Sequence, residues 1–100
     1  MITETAYNFN KDFVLYQQYS KIREDGEFLI VSSPHLELMI FNEVAKDFYL
    51  KINGKNSLKD IINLLLDEYE IEESILINDI VNLVRDFQWK GILELKEKIK

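Results

Sequence analysis

The pattern of apolar and polar residues changes its period once along the chain, near Asn42. Before this point the apolar residues stand in short aromatic and β-branched runs, which are typical of strands. After it they recur every three to four residues, which is typical of amphipathic helices. A run of strands followed by a run of helices indicates an α+β fold rather than an alternating α/β fold.

The first part of the chain predicts three strands. The first is an uneven aromatic strand over residues 12–23, followed by a turn at Asp25-Gly26 in which Gly26 supplies a positive φ. The second is the apolar run from Phe28 to Val31. The third alternates between two faces, with Leu36, Leu38 and Ile40 on one and Glu37, Met39 and Phe41 on the other.

The second part predicts three helices. Asn42 is placed to cap the first helix, and Asn53-Gly54 closes it. Ser57 begins the second helix, and Asp60 stands three residues later, as in a capping box. The third helix runs from about residue 72 to residue 90 and stops at a glycine.

The third helix has an unusually wide apolar side. At 100° per residue its apolar arc spans about 160°, whereas a surface helix needs only about 100° to face a core. Two explanations stay open. Either the helix is packed from two sides, or the flank formed by Ile77, Val81 and Val84 borders a groove that a partner fills.

The third strand raises a similar question. In a simple meander it is an edge strand, and proteins normally protect the unpaired backbone groups of such an edge. Only Glu37 places a charge inside this strand. Either the domain's own helices cover the edge, or the edge stays open for a guest strand.

The composition limits the class of protein. A chain of 100 residues predicts one domain, with a flexible arm over residues 1–11 and a tail over residues 96–100. The chain has no cysteine, no apolar run of membrane-spanning length and no signal-peptide pattern, so we expect a cytoplasmic protein without membrane contact. The net charge of −6 opposes nucleic-acid binding, because phosphates must be neutralised by basic residues.

The chemistry-bearing residues form no recognisable catalytic or metal site. His35 is the lone histidine, whereas a metal site usually needs three or four convergent ligands. No phosphate-binding glycine loop and no nucleophile motif is present. We therefore expect a binding protein that is not an enzyme and that carries neither a metal nor a cofactor.

Several segments, in this order and at this spacing, resemble the PqqD family, also called the RiPP recognition element, over residues 12–95. They are Asp25-Gly26 before Phe28 to Val31, the step Phe41-Asn42, Ile52-Asn53-Gly54 followed by Ser57-Leu58 and Asp60-Ile61, then Asp79-Ile80, Phe87 and Gly91-Ile92-Leu93.

This resemblance implies a three-stranded antiparallel sheet followed by a three-helix, winged-helix-like bundle. It also implies binding of the leader of a ribosomally made precursor peptide, which adds as a strand to the third strand and presses against the third helix. The precursor then passes to an enzyme such as a radical SAM protein, a cyclodehydratase or a leader protease. The implied peptide-binding residues are Leu36, Glu37, Leu38, Met39, Ile40, Phe41, Ile77, Ile80, Val81 and Val84.

Two other functions remain as alternatives. A winged-helix DNA-binding protein needs a basic recognition helix, but the third helix sets Arg85 and Lys90 against four carboxylates. A self-associating structural subunit, such as a homodimer, could use the same edge and groove for itself, and its sequence would show the same apolar edge.

Overall fold

The computed structural model describes residues 6–8, 10–35 and 37–97. Its elements are β1 (Val14–Gln17), β2 (Lys21–Asp25), β3 (Phe28–Ser32), β4 (Leu38–Phe41), α1 (Glu43–Leu50), α2 (Leu58–Glu68), α3 (Glu73–Trp89) and β5 (Leu93–Lys96). Residues 6–8 and 10 are helical as well. The fold therefore mixes helices and strands, with the long helices after the first four strands.

The strands β2, β3 and β4 form a three-stranded antiparallel sheet in that order, which confirms the predicted sheet. β2 and β3 make a tight hairpin in which Asp25 pairs with Phe28. Gly26 begins the connecting turn with φ of +62°, a value that favours glycine. β4 corresponds to the predicted third strand, and it lies at an edge of this sheet.

The prediction of one continuous first strand over residues 12–23 was wrong. This segment forms two strands in two different sheets, because β1 pairs with β5 whereas β2 pairs with β3. The Gln18 N–H donates to the Ile92 carbonyl oxygen at 2.9 Å, which holds the chain beside β5 just before it crosses to the other sheet.

Both ends of the chain take part in the structure where it is described. Tyr7, inside the predicted arm, packs against the core. Lys96, the first residue of the predicted tail, pairs with Val14 in the β1–β5 sheet. Residues 1–5, 9 and 98–100 lie outside the described residues.

The helix starts follow the predicted capping only in part. The capping box at α2 is confirmed: the Asp60 N–H donates to Ser57 Oγ at 3.1 Å, and the Ser57 N–H donates to Asp60 Oδ2 at 3.0 Å. Asn42 occupies the N-cap position of α1, but its side chain makes no capping hydrogen bond. Instead, its backbone carbonyl oxygen accepts a hydrogen bond from the Lys46 N–H at 2.8 Å.

A cluster of aromatic rings joins β4 to the helices. The rings of Phe41 and Phe87 stack with centroids 4.7 Å apart, and both contact Tyr49 edge-on. The buried Tyr49 hydroxyl donates to the Ile92 carbonyl oxygen at 2.8 Å, and burial raises the pKa of this tyrosine. This cluster fixes the inner face of β4 against α1 and α3.

Candidate functional site

The most distinctive feature of the molecule is the free edge of β4. β4 pairs with β3 on one side, and no other strand of the described chain pairs with it on the other side. The side chains of Leu38 and Ile40 are 62% and 63% exposed, whereas those of Met39 and Phe41 are buried. An exposed edge strand with apolar side chains can pair with another chain, so proteins normally either protect such an edge or use it to bind a partner.

The pairing with β3 determines which backbone groups of β4 are free. Just beyond the last pair of the β3–β4 ladder, Ser32 with Leu38, the Ser33 N–H donates to the Glu37 carbonyl oxygen at 2.9 Å. Hydrogen-bonded and non-hydrogen-bonded pairs alternate along an antiparallel ladder. The register then directs the N–H and C=O groups of Met39 and Phe41 toward β3, and those of Leu38 and Ile40 toward the open edge.

The loop before β4 is held by one buried side chain. Ser33 is fully buried, and its Oγ accepts hydrogen bonds from the N–H groups of His35 and Glu37 at 3.2 and 3.0 Å. These bonds hold the chain at the start of β4.

A cleft of about 460 Å³ lies beside this edge, between β4 and α3. A volume of this size is within the range of ligand-binding sites in proteins. The cleft is lined by Phe28, Glu37, Leu38, Met39, Ile40, Phe41, Asn42, Ala45, Leu83, Asp86, Phe87 and Lys90.

The cleft combines an apolar floor with charged borders. The stacked rings of Phe41 and Phe87 form part of the floor, and Leu83 adds an aliphatic side chain one helical turn away. Asp86 and Lys90 form an ion pair at 3.4 Å on the helix side. The arrangement suits an extended segment that buries apolar side chains and carries polar groups at its borders.

The structure brings together five of the six residues predicted on the third strand. Glu37, Leu38, Met39, Ile40 and Phe41 all line the cleft. The sixth, Leu36, lies outside the described residues. The strand half of the predicted site is therefore contiguous.

The helix half of the predicted site is not at this cleft. Ile80, Val81 and Val84 are buried, and the half-buried Ile77 packs against the core. Val81, expected at a groove rim, is only 4% exposed. The physical reason is that α3 also packs against α2 and β5, so its wide apolar arc serves several neighbours. Packing from more than one side, one of the two explanations left open, thus accounts for these residues.

The residues at the C-terminal end of α3 that do line the cleft were not predicted as binding residues. Leu83, Asp86, Phe87 and Lys90 stand at positions i, i+3, i+4 and i+7, so they share one face of the helix. This face is the opposite flank of the apolar arc. The spacing was visible in the sequence, but only the packing of the sheet decides which flank faces β4.

Two further features of the described residues bear on other functions. In residues 6–8, 10–35 and 37–97, no three His, Asp or Glu side chains are grouped in a way that could hold a metal ion. Over the same part of the chain, no helix combines the length and the apolar character needed to cross a membrane.

A family model supports a relationship to known proteins. The model described as "Coenzyme PQQ synthesis protein D (PqqD)" matches residues 28–93 of the chain. The match covers β3, β4, the three helices and the start of β5. It therefore includes the free edge and every residue that lines the cleft.

A solved structure shares the fold. The structure of TbiB1 in complex with the TbiA(beta) leader peptide is similar with a TM-score of 0.69 and 10% sequence identity, over 83% of this chain and 99% of that chain. No curated protein sequence matches this chain. At this low identity, the structural likeness establishes a common fold.

Proposed function

This chain belongs to the PqqD family, and on that premise we propose that it binds the leader segment of a ribosomally synthesised precursor peptide. The observation that carries the proposal is the free edge of β4 beside a cleft with an apolar floor. The similar protein TbiB1 was solved with a leader peptide bound, which supports the same class of ligand here.

The leader is proposed to add to β4 as a fourth strand of the β2–β3–β4 sheet. The backbone groups of Leu38 and Ile40 would pair with the leader and set its register. Leader side chains that lie beside Met39 and Phe41 would point into the cleft, because neighbouring strands share the direction of their pleat. There they would meet Leu83 and Phe87, which take the role first assigned to Ile77, Ile80, Val81 and Val84.

The expected affinity follows from opposing contributions. Three apolar leader side chains buried in the cleft would contribute about 4–9 kcal/mol. Ordering a disordered segment on binding costs about 2–5 kcal/mol. The remainder, together with a few hydrogen bonds at the edge, corresponds to a dissociation constant in the micromolar range rather than the nanomolar range.

We propose that the domain over residues 12–95 presents the bound precursor to a separate enzyme, such as a radical SAM protein, a cyclodehydratase or a leader protease. In this proposal α1, α2 and α3 form a winged-helix-like bundle that serves as a support for the peptide instead of reading DNA. We place the encounter in the cytoplasm, where ribosomes release the precursor.

The test uses a synthetic, fluorescein-labelled peptide that covers the N-terminal half of the short peptide encoded nearest to this gene. Its affinity is measured by fluorescence anisotropy for the wild-type chain, for Leu83→Gln in the cleft and for Leu64→Gln on the exposed side of α2. We expect saturable binding that Leu83→Gln weakens about tenfold and Leu64→Gln leaves unchanged. Equal affinities for the three proteins would contradict the cleft as the binding site.

A further inference from the structure

The outward side of the β2–β3–β4 sheet carries a second apolar surface, which meets the cleft at the free edge, where Phe28, Leu38 and Ile40 border both. Its members, here called the outer patch, are Phe28, Ile30, Leu38 and Ile40. Phe28 is 49% exposed, Leu38 and Ile40 are more exposed still, and Ile30 is partly exposed. An antiparallel sheet with one buried face normally presents polar side chains on the other face, so this surface needs an explanation.

The apolar character of the outward side increases toward the free edge. β2, at the far edge, places Lys21, Arg23 and Asp25 on this side. β3 places two apolar residues and Ser32 there, and β4 places only Leu38 and Ile40. A partner that covered the whole face would meet the charged side chains of β2. The gradient instead indicates an occupant that approaches along β4.

The strand proposed to add to β4 is such an occupant. Its successive side chains point alternately to the two faces of the sheet. Those that lie beside Leu38 and Ile40 therefore point to the outward side, at a Cβ–Cβ distance of about 4.5–5.5 Å from their cross-strand neighbours. They would extend the rows Ser32–Leu38 and Ile30–Ile40 by one residue each.

We infer that the outer patch is the second half of the leader-binding site, and that this chain selects a leader segment with apolar side chains on both faces of the strand. The inference rests on the proposed function. It names the class of segment: a run of three or more consecutive apolar residues, preferably β-branched or aromatic, rather than an alternation of apolar and polar residues. Leu38 and Ile40 thereby determine specificity through their side chains as well as through their backbone groups.

The surface beside the patch is also indented. A depression of about 280 Å³ is lined on this side by Ile30, Ser32 and Leu38, and by Lys21 and Arg23 toward β2. A long outward side chain of the guest strand could lie across Leu38 into this depression.

A peptide selection shows directly which pattern of side chains this chain prefers in its ligand. A phage library of random 12-residue peptides is selected on the wild-type chain and, in parallel, on the double variant Leu38→Thr/Ile40→Thr, which keeps the backbone groups and the β-propensity of the edge. We expect wild-type selection to enrich consecutive apolar residues, and the variant to enrich an alternating pattern. Asp25→Thr, on the same face but at the far edge and outside the depression, is the matched control and should select the same peptides as wild type.

The affinity of one selected peptide gives the size of the effect. Because one cross-strand pair typically contributes a few tenths to about 1 kcal/mol, we expect about threefold weaker binding for Ile40→Thr and about tenfold for the double variant, with Asp25→Thr unchanged. Ile40→Thr and the double variant should melt within a few degrees of wild type, because the side chains of Leu38 and Ile40 are exposed.

Three results would overturn the inference, and they differ from failure of the proposed function. The first is an alternating pattern on wild type. The second is unchanged affinity of the double variant for a selected peptide. The third is a wild-type dimer in sedimentation that the double variant makes monomeric, since the patch would then serve a second copy of this chain. If no peptide is selected at all, the inference and the proposed function both fail.

Discussion

The replacement of Ile40 by proline tests whether a ligand forms hydrogen bonds with the edge of β4. Proline has no N–H, and its fixed φ is compatible with an edge strand when the missing N–H does not face the neighbouring strand. The Ile40 N–H points away from β3 in the register described above. The substitution therefore removes a donor from the open edge and leaves the hydrogen bonds between β3 and β4 intact.

The size of the effect follows from the hydrogen bond that is lost. A ligand carbonyl left buried without a donor costs about 1–3 kcal/mol. This corresponds to a dissociation constant about 5 to 150 times larger. Ile40→Thr removes nearly the same apolar side chain but keeps the N–H, so the ratio between the two variants isolates the backbone contribution.

A matched control lies at the other edge of the same sheet. Glu24 on β2 pairs with Leu29, and by the same alternation its N–H faces away from β3. Glu24→Pro thus removes the equivalent donor from the opposite edge. It also removes the ion pair between Glu24, whose side chain is exposed, and the largely covered Lys46; a pair with a solvent-exposed partner contributes little to stability.

The assay is fluorescence anisotropy with the labelled peptide, after circular dichroism has shown that each variant is folded. We expect Ile40→Pro to bind at least fivefold more weakly than Ile40→Thr, and Glu24→Pro to bind as wild type. Equal affinities for Ile40→Pro and Ile40→Thr would refute strand addition at β4, whatever the contribution of the side chains.

Two further predictions concern stability. Phe41→Ala should lower the free energy of unfolding by about 3–5 kcal/mol in urea denaturation, because Phe41 is 5% exposed and stacks on Phe87. A change below about 1 kcal/mol would show that the ring is not part of the core. Val81→Asp should lower the free energy of unfolding by about 3 kcal/mol or more, since it buries a carboxylate without a counter-ion. Asn82→Asp, at the neighbouring exposed position, should have little effect. A stable Val81→Asp protein that binds the peptide weakly would instead show that Val81 borders the binding groove.

Local patterns predicted the elements that local forces determine. The hairpin at Gly26, the capping box of Ser57 and Asp60 and the three helices after residue 42 each depend on residues close in the sequence. The edge position of β4 followed from the simplest order of three neighbouring strands. These features could be predicted because their stabilising contacts span few residues.

Contacts between distant parts of the chain explain the errors. β1 pairs with β5 across almost the whole sequence, and nothing in residues 12–23 shows where that strand must break. Likewise, the width of the apolar arc on α3 was correct, but the flank that faces β4 is decided by packing against α2 and β5. Sequence periodicity gives the faces of an element but not the neighbour that each face meets.

The central claim is that a leader peptide adds as a strand to β4, and amide hydrogen exchange measured by NMR on ¹⁵N-labelled protein tests it most directly. Without peptide, the amides of Met39 and Phe41 should be protected by β3, and those of Leu38 and Ile40 should exchange rapidly. The account predicts that the leader peptide used in the anisotropy assay slows amide exchange at Leu38 and Ile40 and shifts the amide signals of Leu83 and Phe87. Duplex DNA should do neither. Unchanged exchange at Leu38 and Ile40 in the saturated complex, or protection by DNA alone, would contradict it.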